Sequence, residues 1–154
     1  MATRKIVKKG DDLLRKKSRE VTVFDKKLAD LLDDMAETMH KAEGVGIAAP
    51  QVGILRRAVI VEPEEGNMIE LVNPVILSAE GEGEDTEGCL SVPGVYGYVK
   101  RPTKVVVRAY DRNGEEFELE AEDFAARAVC HEIDHLEGTL FIDKVTRYYD
   151  PEEE

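Results

Sequence analysis

The chain has 154 residues, 42% of them hydrophobic, and its Lys+Arg 21 against Asp+Glu 33 give a net charge of -12. This length predicts one compact domain over residues 1–154 rather than two. The excess of acidic groups argues against direct binding to nucleic acid or to an anionic membrane, because phosphate would be repelled over most of the surface. No apolar run is long enough for a signal peptide or a membrane span, so we expect a cytoplasmic protein. A monomer is the expected assembly.

The first part of the chain predicts a short helix followed by one long amphipathic helix. Residues Ile6 to Arg15 are typical of an extended entry and a short helix, with a break at Gly10. From Asp25 to Glu43, leucine and methionine recur at spacings of three and four, which predicts a helix with one buried face. His40 near its end is predicted to be a surface or capping residue, since the helix dipole favours histidine there.

A segment rich in small residues, GVGIAAPQVG, follows this helix at 44–53. Its glycines end the helix and allow another backbone to approach closely. It is not a dinucleotide-binding motif, because no strand precedes it and no third glycine has the right offset. Gln51 carries an amide donor that can hydrogen-bond an oxyanion without titrating, although the spacing alone also fits an ordinary loop residue.

From Arg57 onwards, short apolar runs predict an antiparallel, mostly β middle of the chain. The runs are 58–61, 69–72, 75–77 and then 105–110 against 116–119, with a turn at Asn113 and Gly114. The acidic stretch 80–87 has no apolar residue and is predicted to be a solvated loop leading to Cys89. A lone cysteine can be a buried packing residue, but a thiolate is also a suitable third ligand beside two imidazoles.

The residues HEIDH at 131–135 fit the pattern H-E-x-x-H on a helix predicted from Glu122 to Glu137, with Gly138 ending it. Residues four apart lie on one helix face, so His131 and His135 can reach the same metal ion. Glu132 then lies beside the open position of that ion, where it can take a proton from water.

The other residues of this helix argue against a charged, solvent-facing surface. Phe124 and Ala128 share the stripe of the two histidines, which points the histidines towards apolar neighbours. Cys130 lies about 100° round the helix from His131, so we predict a packing residue rather than a ligand. Asp134 is on the side away from the metal, where the sequence leaves open whether it orients a neighbour or faces solvent.

Three stretches, GVGIAAPQ at 44–51, EGCLS at 87–91 and HEIDH at 131–135, resemble in order and spacing the three motifs of the peptide deformylases. The resemblance covers nearly the whole chain. It implies an α+β fold with antiparallel β-sheets packed around a central C-terminal helix that carries HEIDH, together with a long N-terminal helix. The implied reaction is metal-dependent removal of the formyl group from the N-terminal formylmethionine of new polypeptides, which releases formate.

The resemblance also implies a metal centre. Its ligands would be Cys89, His131 and His135, which is the three-ligand arrangement of a catalytic site with an open position. Glu132 would be the general base. The resemblance favours Fe(II), whereas ligand type alone also accepts Zn(II), Ni(II) or Co(II).

Further roles are implied for residues around this centre. The Gln51 side chain and the backbone N–H of Leu90 would stabilise the oxyanion. An ion pair between Glu87 and Arg101 would support the loop that carries Cys89. The residues implied to bind substrate, through a backbone edge and a methionine pocket, are Gly44, Val45, Gly46, Glu87, Gly88, Phe124 and Ala128.

Two alternatives from other classes are compatible with HEIDH alone. A zincin-like metalloendopeptidase shares the pattern, but its third ligand normally follows the helix, and no histidine follows Gly138. A non-catalytic metal-stabilised module needs the ligands but has no use for Glu132 or Gln51.

The expected partners follow from the deformylase resemblance. They are N-formylmethionyl nascent peptides, which implies transient proximity to the ribosome but no membrane contact. Residues from about 146 to 154 are predicted to form a poorly ordered acidic tail, which ribosomal RNA would repel.

Overall fold

A computed structural model describes residues 2–150. These residues form two α-helices, α1 (Lys26–Lys41) and α2 (Asp123–Leu136), and eight β-strands. The strands are β1 (Gly46–Ala48), β2 (Ala58–Glu64), β3 (Asn67–Glu80), β4 (Gly83–Cys89), β5 (Val92–Arg101), β6 (Lys104–Tyr110), β7 (Glu116–Glu122) and β8 (Val145–Tyr148). Neither α1 nor α2 has the length and apolarity that crossing a membrane requires.

The strands form two antiparallel sheets, which confirms the predicted α+β class. One sheet has five strands in the order β1-β2-β3-β6-β7, and the other has three in the order β4-β5-β8. β1 and β4 are therefore terminal strands, each with one edge that no strand of residues 2–150 occupies. These two edges are positioned to accept an added strand.

The two helices pack on opposite faces of the larger sheet, and β2 shows why. Its run AVIV is buried on both sides: Val59 and Val61 join the cluster around α2, while Ala58 and Ile60 join the cluster around α1. A strand buried on both faces is continuously apolar rather than alternating. This packing makes α2, with its HEIDH residues, a central helix.

The long N-terminal helix is present but slightly shorter than predicted. Asp25 is its N-cap rather than its first residue, because the Asp25 carboxylate accepts a hydrogen bond from the Leu28 N–H. At the other end, the Gly44 N–H donates to the Met39 carbonyl, so the chain leaves the helix just before the small-residue segment. The prediction of one buried face is confirmed by buried Leu32, Met35 and Met39.

Two predictions outside the helices are wrong. Residues 80–87 do not form a loop, because 83–89 form β4, which pairs with β5. The pairing uses backbone groups, so an acidic strand with one solvated face satisfies it without apolar side chains. The predicted start of the acidic tail, at about residue 146, is also too early in the chain, because Val145–Tyr148 forms β8 and pairs with β5. Residues 151–154 lie outside the described part of the chain.

Candidate metal centre

Three predicted ligands from two elements meet in the structure. Cys89 ends β4, and His131 and His135 lie one turn apart on α2. One ligand atom from each lies within 4.8 Å of the others, and Cys89 Sγ is 3.3 Å from His135 Nε2. A thiolate with two imidazoles fits a borderline transition metal such as zinc or iron rather than calcium or magnesium, and three ligands leave a further position open.

A buried carboxylate fixes the orientation of His131. Glu87 Oε1 lies 2.8 Å from His131 Nδ1. Burial alone would raise the pKa of Glu87, but the hydrogen bonds and charges of Arg101 and His131 outweigh it and lower the pKa to about 2. An ionised carboxylate can only accept, so Nδ1 carries a hydrogen, and a metal would take the place of the proton on Nε2.

Arg101 connects this carboxylate to the metal-binding helix. Its Nε and Nη2 donate to Glu87 Oε2 and Oε1, both at 2.9 Å, and its Nη1 donates to Asp134 Oδ2 at 2.6 Å. The pair with Glu87 that the resemblance implied is present, and Lys144 also contacts the Asp134 oxygen at 3.0 Å. Of the two alternatives that the sequence left open for Asp134, the structure therefore supports the first: Asp134 orients a neighbour, Arg101.

Arg127 belongs to the same network and was missed by the sequence analysis. Its Nη1 donates to Glu87 Oε2 and to the Val99 carbonyl, both at 2.8 Å, and its Nη2 donates to the Gly83 carbonyl at 2.9 Å. Arg127 thus ties α2 to β4 and β5. Its position four residues before His131 was a usable signal, because a charged residue on an inward-facing stripe requires partners.

Glu132 has a carboxylate oxygen that is buried and unpaired. Its Oε2 is 4.0 Å from His131 Nε2, whereas Oε1 has no hydrogen-bond partner among residues 2–150. Burial raises the pKa of Glu132 to about 7, although the charge of His131 opposes the shift. A buried acceptor without a partner is costly, which is expected where water or a substrate binds.

The Gln51 amide is held in one orientation. Its Oε1 accepts a hydrogen bond from the Ala48 N–H at 2.9 Å, while Nε2 donates to Ser91 Oγ at 3.1 Å and lies 3.5 Å from Cys89 Sγ. Gln51 is 1% exposed, so it is not an ordinary loop residue. The amide donor faces the metal ligands, and Ser91, which the sequence analysis did not single out, keeps it there.

A groove of about 600 Å³ opens beside these residues. Its lining includes every residue predicted to act on or bind a substrate: Gln51, Leu90, Glu132, Gly44, Val45, Gly46, Glu87, Gly88, Phe124 and Ala128. Glu87 differs from the other predicted substrate-binding residues, because both of its carboxylate oxygens already bind arginine or histidine side chains. The position of Glu87 therefore indicates that it supports the metal centre rather than contacting a substrate.

Two remaining side chains lie outside the ligand group, as predicted. Cys130 is buried in the apolar cluster around α2, and burial raises the pKa of its thiol. His40 is exposed and its Nε2 lies 2.5 Å from Glu62 Oε1. Neither belongs to the group of potential metal ligands formed by Cys89, His131 and His135.

Comparison with known proteins gives one consistent result. A family model described as polypeptide deformylase matches residues 3–150. The peptide deformylase of Caldicellulosiruptor bescii is 61% identical over 153 residues, which are 99% of this chain and 92% of that relative. Peptide deformylase 1 of Bacillus subtilis is 53% identical over 154 residues, covering 99% and 96%. The crystal structure of peptide deformylase from Thermotoga maritima matches with a TM-score of 0.92 at 37% identity, covering 95% of this chain and 99% of that one.

Proposed function

Because the chain belongs to the polypeptide deformylase family, we propose that its groove removes the formyl group from the N-terminal formylmethionine of new polypeptides and releases formate. The chain is an enzyme of the amide-hydrolysing class. The observation that carries the proposal is the Cys89 thiol beside two imidazoles of α2, next to the buried, unpaired oxygen of Glu132. Neither of the sequence alternatives accounts for this combination together with the family match.

In this proposal Cys89, His131 and His135 hold one divalent metal ion. When bound, such an ion supplies Lewis acidity, which polarises a carbonyl oxygen and lowers the pKa of water from about 16 to about 7. Glu87 keeps the His131 ring turned so that Nε2 is available, which is the usual role of a carboxylate behind a metal-binding histidine.

Glu132 is assigned to the transfer of a proton from water to the leaving amine. Its Oε1 accepts a proton from the water that attacks the formyl carbon, and it later delivers that proton to the departing amine nitrogen. Burial raises the pKa of Glu132 above that of an exposed carboxyl, which favours both steps, because a general base and acid is most efficient when its pKa is near the working pH.

Two groups are assigned to the negative charge that forms on the formyl oxygen. The Gln51 amide carries two hydrogens, of which Ser91 Oγ accepts one. The other is directed at Cys89 Sγ, 3.5 Å from Nε2, and would turn from this sulfur to the oxyanion when substrate binds beside the metal ligands. The second donor is the backbone N–H that we assign at Leu90 in the turn between β4 and β5. One such donor is typically worth about 10²–10³ in kcat.

The substrate peptide would bind as an added strand between the two sheets. β1 and β4 are terminal strands, and Gly46 of β1 and Gly88 of β4 both line the groove. A peptide lying there gains backbone hydrogen bonds that do not depend on its sequence. Phe124 and Ala128 supply an apolar wall for the methionine side chain, which would give selectivity for the first residue.

The cellular setting and assembly follow from the same proposal. A reducing cytoplasm suits a site that depends on a free thiol, and the substrate implies transient proximity to the ribosome. Every group assigned to the reaction comes from one chain, so a monomer with a single catalytic domain suffices.

Formate release tests the proposed function directly. The enzyme is incubated with a formylated and with an unformylated methionyl peptide, and formate and peptide products are measured. Formate from the first peptide alone supports deformylation. Internal cleavage of both peptides would indicate an endopeptidase, and the absence of any product from enzyme with bound metal would indicate a non-catalytic module.

We further propose Fe(II) as the native metal. Thiolate and imidazole ligands accept iron, zinc, nickel or cobalt, and family resemblance favours iron among them. Protein purified without oxygen is expected to contain iron and to lose activity on exposure to air as the ion oxidises. Elemental analysis with parallel activity assays measures both. Full activity from an oxygen-stable zinc form would count against iron.

Substitution of Gly46 tests the position of Glu132. A Cβ at Gly46 would lie 2.5 Å from Glu132 Oε2, so Gly46→Ala must displace that carboxylate. We expect kcat to fall by roughly tenfold to a hundredfold with the metal retained, because small misplacements of a catalytic group have effects of this size. Gly83→Ala is the matched control, since its Cβ would meet only Thr103 Cγ2 at 3.2 Å. Equal losses in the two variants would refute a specific effect.

A further inference from the structure

One exposed cation lies in the wall of the groove. Lys8 lines the groove, and its Nζ donates a hydrogen bond to the Leu90 carbonyl at 3.2 Å, which holds the ammonium group beside the turn next to Cys89. The other cation in the described lining, Arg127, is buried and bound to Glu87. Lys8 keeps two further N–H groups that this bond does not use.

More lysines surround Lys8. Lys5 and Lys41 are exposed and line a depression with Lys8, and Lys9 lines a neighbouring depression with Lys5 and Lys8. No carboxylate within residues 2–150 comes within 4.0 Å of any of these four ammonium groups. We call Lys5, Lys8, Lys9 and Lys41 the lysine rim.

The lysine rim contrasts with the rest of the protein. Residues 2–19 contain eight of the 21 Lys and Arg residues but two carboxylates, although the whole chain has a net charge of -12. The positive charge is therefore concentrated on one segment, which passes the groove where the Val7 N–H bonds to the Gln51 carbonyl and the Lys9 N–H to the Ser91 carbonyl. Lys8 and Glu43 are the exposed charged residues of the groove lining, and Lys5, Lys9 and Lys41 add positive charge in the two adjoining depressions.

We propose that the lysine rim, through Lys8 first, makes the enzyme prefer formylmethionyl peptides with carboxylate side chains in the residues that follow methionine. This inference rests on the proposed function and specifies its substrate class. A strand advances about 3.3 Å per residue, so the residues directly after methionine pass within reach of long side chains near Leu90. An exposed pair of opposite charges changes affinity by about 1.5- to 5-fold, and several lysines act together.

A nucleic-acid phosphate backbone is the other polyanion that lysines commonly bind. The position of Lys8 favours the peptide, because its ammonium group is held at the turn beside the metal ligands rather than on a remote surface.

The experiment compares three capped substrates, formyl-Met-Asp-Asp, formyl-Met-Asn-Asn and formyl-Met-Lys-Lys, by their kcat/KM values. For the unmodified enzyme we expect the acidic peptide to exceed the neutral one by about three- to tenfold and the basic peptide to be the poorest. Addition of 0.5 M NaCl should remove most of the difference, because salt screens exposed charges. Lys8→Gln should lower the acidic-to-neutral ratio by about threefold.

The matched control is Lys27→Gln. Lys27 is also exposed, but it lies at the start of α1 whereas Lys41 is at its end, roughly 20 Å away along the helix. Lys27→Gln changes the net charge by the same amount as Lys8→Gln, and it should leave the acidic-to-neutral ratio of kcat/KM unchanged.

Two outcomes would overturn the inference. Equal kcat/KM values for the three peptides would do so, even while formate release upheld the proposed function. A ratio unaffected by Lys8→Gln, together with binding of single-stranded RNA that Lys8→Gln weakens, would assign the lysine rim to RNA instead. Absence of formate from all three peptides would count against the proposed function itself.

Discussion

Replacement of Glu132 by alanine is expected to lower kcat by about 10²–10⁴-fold while the metal content stays unchanged. Glu132 is proposed to move the proton and is not among the three grouped ligands. Its Oε1 has no protein partner within residues 2–150, so removal of the carboxylate breaks no hydrogen bond at that atom. Formate release and elemental analysis of the same preparation measure the two effects.

Glu132→Gln and His131→Ala serve as controls for this prediction. The glutamine variant keeps the shape of the side chain but cannot accept the proton, so it should be as impaired as the alanine variant. His131→Ala should lose the metal together with the activity. A Glu132→Ala protein that is metal-free and unfolded would show that the role of Glu132 has been misassigned.

Replacement of Cys89 by alanine is expected to weaken metal binding by more than about 100-fold and to abolish activity at ordinary metal concentrations. Loss of an outer residue that supports a ligand typically costs about 10–100-fold in affinity, so loss of a ligand itself should cost more. Cys89 Sγ is also the ligand atom that comes from the sheet rather than from α2. Competition with a chromogenic chelator measures the affinity.

Cys130→Ala is the control for this change because it removes the other cysteine. Cys130 is buried and lies among apolar side chains, so its loss should reduce stability modestly and leave metal affinity intact. If Cys89→Ala retained a full complement of tightly bound metal, another residue would have to be the third ligand. If both cysteine variants lost metal equally, the loss would reflect the fold rather than ligation.

The Glu87 network explains how the third ligand is brought to the other two. Glu87 is two residues before Cys89, and its carboxylate bonds to Arg101 of β5 and to Arg127 and His131 of α2. The end of β4 is therefore fastened to the same helix that carries the histidines. Removal of one partner from such a buried ionic group is costly, because the remaining charges lose their compensation.

The metal-binding helix could be predicted closely from the sequence. The predicted span Glu122 to Glu137 and the observed α2, Asp123–Leu136, differ by one residue at each end. The inward direction of its histidines was also predicted, since both are buried. These features depend on the spacing of residues three and four apart, which the sequence displays directly.

β4 could not be predicted in the same way. Its residues before Cys89 are mostly acidic or glycine, so no apolar alternation marks a strand. The strand forms because β5 offers a backbone ladder, and because the one buried carboxylate, Glu87, meets cations from β5 and α2. Neither condition is visible in the local sequence.

By itself, the sequence determined the helices and the kinds of side chain available for a metal, because these depend on composition and on short spacings, while its resemblance to the deformylases implied the α+β class. Only the tertiary structure decided that the Gln51 amide faces Cys89, 38 residues away, and that Arg127 closes the network on Glu87, 40 residues away. It also decided that the free edges of β1 and β4 border one groove. Such arrangements depend on how both sheets pack around α2, and that packing is set by the whole core rather than by any one segment.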